Sequence, residues 1–328
     1  MIVPKYWAEG SVRHRKKGKQ VTIRRFGWSD ESEQAAQCMA DERAEEALQR
    51  VLSGESSTRR REPRIPYNGA EGVPIREEIV DTRGEAVLTR NSYGALCLNT
   101  PNVFFIDIDF ADIKPFAGMT FWLYLVGFAI AVAMVSTGYI VGASVVLAFV
   151  GALIFPPVLG RMLKRSFLKA RGGPEQYATR RIDAFLENHK DWSLRVYRTP
   201  AGFRLLVTHR PFMPSEPEVS SAFEELGSDM TYRIMCLRQH CFRARVSPKP
   251  WRIGMDDHIR PRPGVWPVKP EYLPLRAEWI RRYSEAEKLF AACLYVGSKG
   301  QSFIHSEVRP VVEWHDELCK STSDLPIA

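Results

Sequence analysis

Residues 99–134 read NTPNVFFIDIDFADIKPFAGMTFWLYLVGFAIAVAM. Two acids, Asp107 and Asp109, lie inside an apolar strand-like run, and about ten residues later the chain enters a segment apolar enough for lipid. In a strand, alternate side chains share a face. Phe104, Ile106, Ile108 and Phe110 then form one wholly apolar face, and Val103, Phe105, Asp107 and Asp109 form the other, with the carboxylates side by side. The pattern predicts a strand with its back on a core and its acid-bearing front open.

From Pro115 to Gly160 there is no charged residue and no histidine, a run of about 46 residues. One spanning helix needs roughly 20, so the run predicts two transmembrane helices, at 118–136 and 139–159, broken at the Ser-Thr-Gly of 136–138. Gly127, Ala131, Gly138 and Gly142 recur at small-residue spacing that lets helices approach closely. Trp122, Tyr124 and Tyr139 fit interfacial belts. Lys114 precedes the pair and Arg161, Lys164, Arg165, Lys169 and Arg171 follow it, while the turn carries no charge. The positive-inside rule puts both flanks, and so both termini, in the cytoplasm of a multi-pass protein of the inner membrane. The competing reading, two buried core helices, fits a charge-free run of this length less well. The start, MIVPKYWAEG, has no apolar core of a signal peptide.

The full chain of 328 residues has 46 Lys and Arg against 38 Asp and Glu, a net charge of +8. That length suits one large domain or two modest ones. The excess is clustered: SVRHRKKGKQVTIRR at 11–25 holds no acid, and RRREPR follows at 59–64. Such runs favour phosphate-rich partners, meaning nucleic acid, nucleotides or anionic lipid headgroups. Cys38, Cys97, Cys236, Cys241, Cys293 and Cys319 show no CxxC and read as reduced thiols. Cys236, His240 and Cys241 fit no zinc spacing, and His209, His240, His258, His305 and His315 read as structural, with Asp256–Asp257–His258 a second-choice metal position. The chain carries no Walker loop, Rossmann glycine fingerprint or GxSxG elbow.

The rest of the chain supplies an element order. A basic hairpin at 11–26 precedes a helix that opens on an Asp30/Glu33 capping box and ends at Gly54. A Pro- and Gly-rich loop covers 63–74, and short strands follow at 86–89 and 94–99. With the membrane pair set aside, the acid-bearing strand is followed by a helix at 174–189 and strands at 193–198 and 203–208 about a TPAG turn. Helices at 216–226 and 231–239 and a strand at 242–246 complete a βαββαβ order, the ferredoxin-like arrangement of palm domains. The expected fold is therefore α+β, a ferredoxin-like palm interrupted by a two-helix transmembrane hairpin. Its parts are an amino-terminal region at 1–100, the first palm strand at 101–114, the membrane pair at 115–160, the rest of the palm at 161–254 and an α/β extension at 255–328. Two helices and a strand are expected in that extension, without a chemical signature.

Adjacent carboxylates repel, and a divalent cation between them removes the repulsion. Mg²⁺ takes one or two carboxylates plus substrate phosphates, and paired ions stabilise in-line nucleotidyl transfer. With FFIDIDF the chain resembles the archaeo-eukaryotic primase (primase-polymerase) superfamily, whose apolar strand ends in DhD or DhE. The family's later Ser/Thr-x-x-Gly-h-His segment is approached by TPAGFRLL, where Thr199 and Gly202 fit and Arg204 stands in place of the histidine. Its further acid has no counterpart, and FRARVSPKPWRIG offers Arg243, Arg245, Lys249 and Arg252 instead. The resemblance implies a metal-dependent nucleotidyltransferase with Asp107 and Asp109 as catalytic ligands of Mg²⁺ or Mn²⁺. It also implies that Thr199, Arg204, Arg245 and Lys249 face the nucleotide triphosphate. The two departures favour an alternative, a catalytically silent membrane-anchored protein. In that case it binds nucleic acid or a nucleotide through Arg204, Arg243, Arg245 and the basic arm at 13–19, with Phe105, Tyr197 and Phe203 for stacking, or acts as a scaffold.

Overall fold

The strand β1 (Tyr6–Lys16) pairs with β2 (Lys19–Ser29) from Tyr6↔Ser29 to Lys16↔Lys19, so the amino-terminal hairpin is longer at its base than expected. In the computed structural model every residue is described except 1–2, 17–18, 56, 63–72, 114, 117, 140, 263 and 265, and the side chains of 16, 19, 119, 120 and 143. Part of the basic arm, most of the 63–74 loop and Lys114 of the membrane flank lie outside the described residues. Helix α1 (Glu33–Leu52) lies on the hairpin with Ala36, Ala40, Ala44, Ala47 and Leu48 buried. Contact is close enough that a Cβ on Gly27 would come within 2.1 Å of the Ala36 carbonyl oxygen. The helix is capped by Ser32, whose hydroxyl accepts from the Ala35 N–H at 3.1 Å, and not by Asp30, which accepts from the Lys5 N–H. The capping-box expectation is thereby corrected: the Asp30 carboxylate is used to close the base of the hairpin.

Two four-stranded antiparallel sheets form the body. One has the order β3 (Glu78–Arg83), β4 (Ala86–Arg90), β5 (Leu96–Thr100), β9 (Phe242–Arg245). The other has the order β10 (Leu294–Gly300), β7 (Ser193–Arg198), β8 (Gly202–Val207), β6 (Phe105–Asp109). The helices are α2 (Met119–Ser136), α3 (Ala143–Ala170), α4 (Gly173–Asn188), α5 (Pro217–Leu226), α6 (Met230–Gln239), α7 (Leu273–Glu287) and α8 (Arg309–Cys319). The class is α+β, and the elements expected at 174–239 and in the carboxy-terminal extension fall within a few residues of the observed ones.

The sheet order departs from a ferredoxin-like one at the fourth strand. β6, β8 and β7 are neighbours as that arrangement requires, but β9 is hydrogen-bonded to β5 and not to β6. Side chains occupy the gap instead. The Tyr232 hydroxyl, from α6, donates to the Phe105 carbonyl of β6 at 3.2 Å and accepts from the Arg243 N–H of β9 at 3.3 Å. Arg204 of β8 donates to the Arg245 carbonyl at 2.8 Å. Phe105 on one edge and Arg243 and Arg245 on the other thus have partners without a ladder, as buried backbone groups require.

Helices cover both faces of the β6 sheet. Phe104 meets Phe223 of α5 at a ring separation of 4.9 Å, and Phe105 meets His315 of α8 at 5.5 Å. Phe105 is fully buried. The expected open, acid-bearing front is corrected: α8 closes it at Phe105, and only the Asp107–Asp109 end reaches solvent.

The segment Ser144–Ala170 of α3 is long and apolar enough to cross a membrane, and Phe121–Ser136 of α2 is a shorter apolar helix. The two pack together, with Phe128 against Phe149 at 5.6 Å and Gly127 facing Ala152. Their outer surfaces present Phe121, Trp122, Phe128, Leu147, Leu153 and Phe155 to the surroundings. Gly138 and Gly142 do not pack a helix interface; both take positive φ in the turn, with open space around them. The second helix also starts later than expected and continues through the basic flank to Ala170, since nothing after Leu159 breaks it until Gly172.

Candidate functional site

Asp107 sits directly opposite Arg204 in the β6–β8 register. The guanidinium grips both carboxylate oxygens, Nε to Oδ1 at 2.8 Å and Nη2 to Oδ2 at 3.2 Å. Arg204 is 3% exposed and the Asp107 side chain 38%. Burial works against the Arg204 charge, but Asp107 more than offsets it and holds the proton more tightly than usual. Two residues expected to face metal and triphosphate thus satisfy each other.

Thr199 serves the TPAG turn. It is buried, its hydroxyl accepts from the Gly202 N–H at 3.0 Å, and its own N–H donates to the Gly202 carbonyl at 2.9 Å. Gly202 is required by the close approach of β6, because a Cβ there would lie 1.9 Å from the Ile108 carbonyl oxygen. Phe105 and Tyr197 are fully buried and Phe203 nearly so, which removes them as stacking surfaces. Arg243 is also spoken for, with Nη2 2.7 Å from both oxygens of Glu77 and Nη1 2.9 Å from Asn99.

Asp109, Arg245 and Lys249 form a different group, joined by Arg252. The chain leaves β9 at Arg245, and a short turn at Pro250–Arg252 brings Lys249 and Arg252 back within electrostatic reach of Arg245 and Asp109. None of the three cations has a carboxylate within ion-pair distance among the described residues. Arg245 lies within electrostatic reach of the Tyr93 side chain, the Lys249 ammonium lies 5.4 Å from the Trp251 ring centroid, and Nη1 of Arg252 is buried without a partner. Burial, then Arg245 and Arg252, push the Lys249 pKa down. Burial, then Asp107 and Asp112, push the Asp109 carboxyl up. Trp251, 47% exposed, packs on Tyr93 at 5.3 Å and forms an aromatic rim.

The arrangement is a cluster of three cations beside one acid, with an aromatic edge. Tyr93 and Trp251 were not among the sequence-derived site residues, and Arg252 was named there without a role; the RVSPKPWR turn carries the signal for Trp251 and Arg252, since it crowds basic residues around a tryptophan. Asp257 of the second-choice metal position is held by Arg282 at 2.6 Å. His240 is exposed at the end of α6 while Cys236 and Cys241 are buried.

No protein-family model matches the chain, and neither a curated protein nor a solved structure matches it.

Proposed function

We propose that this protein binds the phosphates of a nucleotide, free or at the end of a strand, on the cytoplasmic face of the inner membrane. The observation that carries this reading is the trio Arg245, Lys249 and Arg252, gathered beside Asp109 with no carboxylate pairing any of them among the described residues. Like charges held together cost free energy that an anion recovers, and guanidinium groups suit phosphate oxygens in particular. Trp251 supplies a face on which a base stacks. The elements β6, α4, β7, β8, α5–α6 and β9 are read as a palm whose fourth strand has moved to another sheet. The α2–α3 hairpin is read as a pair of transmembrane helices inserted in its first connection, with Arg161, Lys164, Arg165, Lys169 and Arg171 toward anionic headgroups. An open hollow of about 450 Å³ lined by Arg171, Tyr177, Arg180 and Arg181 lies at that end and fits the same partner.

Mg²⁺ or Mn²⁺ would join through Asp109 and the bound phosphates. Nucleotidyl transfer through an Asp107–Asp109 metal pair requires Asp107 to leave Arg204, and the bidentate pairing therefore favours the binding role over turnover. The test is calorimetric titration of the detergent-solubilised full chain with a non-hydrolysable nucleoside triphosphate, with and without Mn²⁺. Binding is expected, weakened at least tenfold, about 1.4 kcal/mol, by Lys249→Ala or Arg252→Ala, and losing its Mn²⁺ dependence in Asp109→Asn. A folded protein that binds no triphosphate under either condition overturns the proposal.

A further inference from the structure

The carboxy-terminal extension holds a group of donors that neither the sequence reading nor the phosphate pocket uses. Cys293 lies just before β10, and His315 and Cys319 stand one turn apart on one face of α8. Nε2 of His315 is 3.4 Å from the Cys319 sulfur and 4.0 Å from the Cys293 sulfur. All three donor atoms lie within 4.8 Å of one another, and all three residues are fully buried.

We infer that Cys293, His315 and Cys319 bind a thiophilic d¹⁰ ion, Zn²⁺ in the first place, which fastens α8 to the start of β10.

The distances match such a centre. Zn–S bonds of about 2.3 Å and a Zn–N bond of about 2.05 Å, at tetrahedral angles, put sulfur and nitrogen about 3.6 Å apart. The observed separations of 3.4 and 4.0 Å bracket that value, so the ion fits with shifts of a few tenths of an ångström. The imidazole is already oriented. Its Nδ1 faces the Asp316 carboxylate at 3.2 Å, and Asp316 is fixed in turn by Arg195 at 2.6 Å. A carboxylate behind Nδ1 sets the tautomer that leaves the Nε2 lone pair pointing at the metal, an outer-shell arrangement common to histidine ligands. The Phe105 and Tyr197 rings, 5.5 and 4.7 Å from the imidazole, wall one side of the site, and the fourth tetrahedral position is left to a water.

The donor set selects the ion. Two sulfurs and one nitrogen are poor ligands for Mg²⁺ or Ca²⁺ and good ones for Zn²⁺ or Cu(I). Charge balance also works. Each thiol releases its proton to solvent on binding, and two thiolates neutralise one Zn²⁺. The neighbouring guanidinium, with Nη1 of Arg204 3.5 Å from Nε2, is balanced separately by Asp107. The site is independent of the phosphate proposal, since it shares no ligand with it.

The experiment uses the untagged full chain in detergent, reduced and prepared without chelator, in a Cys38→Ser background that removes the exposed thiol. Metal content by mass spectrometry is expected at about one zinc per chain. Exchange for Co²⁺ is expected to give the intense ligand-field bands and thiolate charge-transfer absorption of a tetrahedral sulfur-containing site. Cys293→Ser, Cys319→Ser and His315→Gln should each lose the ion, and the buried Cys236→Ser should keep it. Should the ligand variants fail to fold, X-ray absorption on the unmutated chain decides: two sulfurs and one imidazole, with one further oxygen ligand, support the site, and a shell without both sulfurs and the imidazole overturns it. Folded protein that takes up less than about a tenth of an ion per chain, or that is isolated with a Cys293–Cys319 disulfide, also overturns it.

Discussion

The two acids of the DID strand should behave oppositely when neutralised. Asp107→Asn removes the charge that compensates Arg204, a residue only 3% exposed, and weakens two charge-assisted hydrogen bonds of 2.8 and 3.2 Å. Removing one partner of a fully buried ion pair costs about 3–5 kcal/mol. Here the carboxylate end is 38% exposed and asparagine keeps one acceptor, so the cost falls to about 2 kcal/mol. In a chain of this size that lowers Tm by about 3 °C. Asp109→Asn acts with the other sign. Its carboxyl is raised by burial, and then by Asp107 and Asp112, so the folded chain holds the proton more tightly than the unfolded one. Such a group contributes nothing well below its unfolded pKa and opposes folding once pH exceeds its folded pKa. Asparagine removes that opposition, so Tm at neutral pH should stay level or rise, and the gain should fade as pH falls toward the unfolded value.

The assay is thermal unfolding of the solubilised full chain, followed by tryptophan fluorescence from mildly acidic to neutral pH. The double variant Asp107→Leu/Arg204→Met sharpens it, because replacing both partners of a buried pair by apolar groups is often nearly neutral. Equal losses for Asp107→Asn and Asp109→Asn would refute the reasoning. The carboxylates would then act as a coupled pair, as a metal site requires, and not as one ion-paired and one free acid.

Three further outcomes test other parts of the structure. The affinity of the pocket for triphosphate should fall as pH rises through the depressed pKa of Lys249, below the ordinary 10.5, and Lys249→Arg should flatten that titration curve. Tyr232→Phe leaves the Phe105 carbonyl and the Arg243 N–H without their shared partner, at a cost of about 1–3 kcal/mol; hydrogen exchange at the Arg243 amide should quicken, and unchanged exchange would mean that the strands are held otherwise. In intact cells a membrane-impermeant thiol reagent should label Tyr139→Cys, at the 84% exposed hairpin turn, and spare Cys38. The reverse pattern in those cells would sink the hairpin topology.

Much of the scaffold was legible because it depends on local pattern. The alternating apolar residues of 103–110, the TPAG turn and the helices at 174–239 need only neighbours in sequence to declare themselves. What escaped depends on register across long separations. The Asp107–Arg204 pairing joins residues 97 apart and follows from which β8 residue faces which β6 residue. The Cys293 and His315 side chains meet across 22 residues and two elements, so no CxxC spacing announces them. Within the basic run, too, pairing is a matter of the fold: Arg24 meets Glu9, and Arg25 is buried against the Arg59 carbonyl near Glu62. Only a fold can show which charges are already spent.

Arg204, the point at which the sequence departs from the primase-type motif, has a structural task of its own. A histidine at that position would offer two ring nitrogens, whereas arginine offers five N–H donors in a rigid fork. Here the fork reaches Asp107 on β6 and the Arg245 carbonyl on β9, and it lies 3.5 Å from His315 on α8. With no ladder between β6 and β9, a side chain has to carry that connection, and the Tyr232 hydroxyl alone covers only one point along the edge. Arginine therefore suits the gap between β6 and β9, and with Arg204 in place Asp107 becomes a structural counter-charge. Arg204 thus closes Asp107, while β9 runs on into the turn that presents Lys249 and Arg252 beside Asp109, so the two acids of one strand meet different partners.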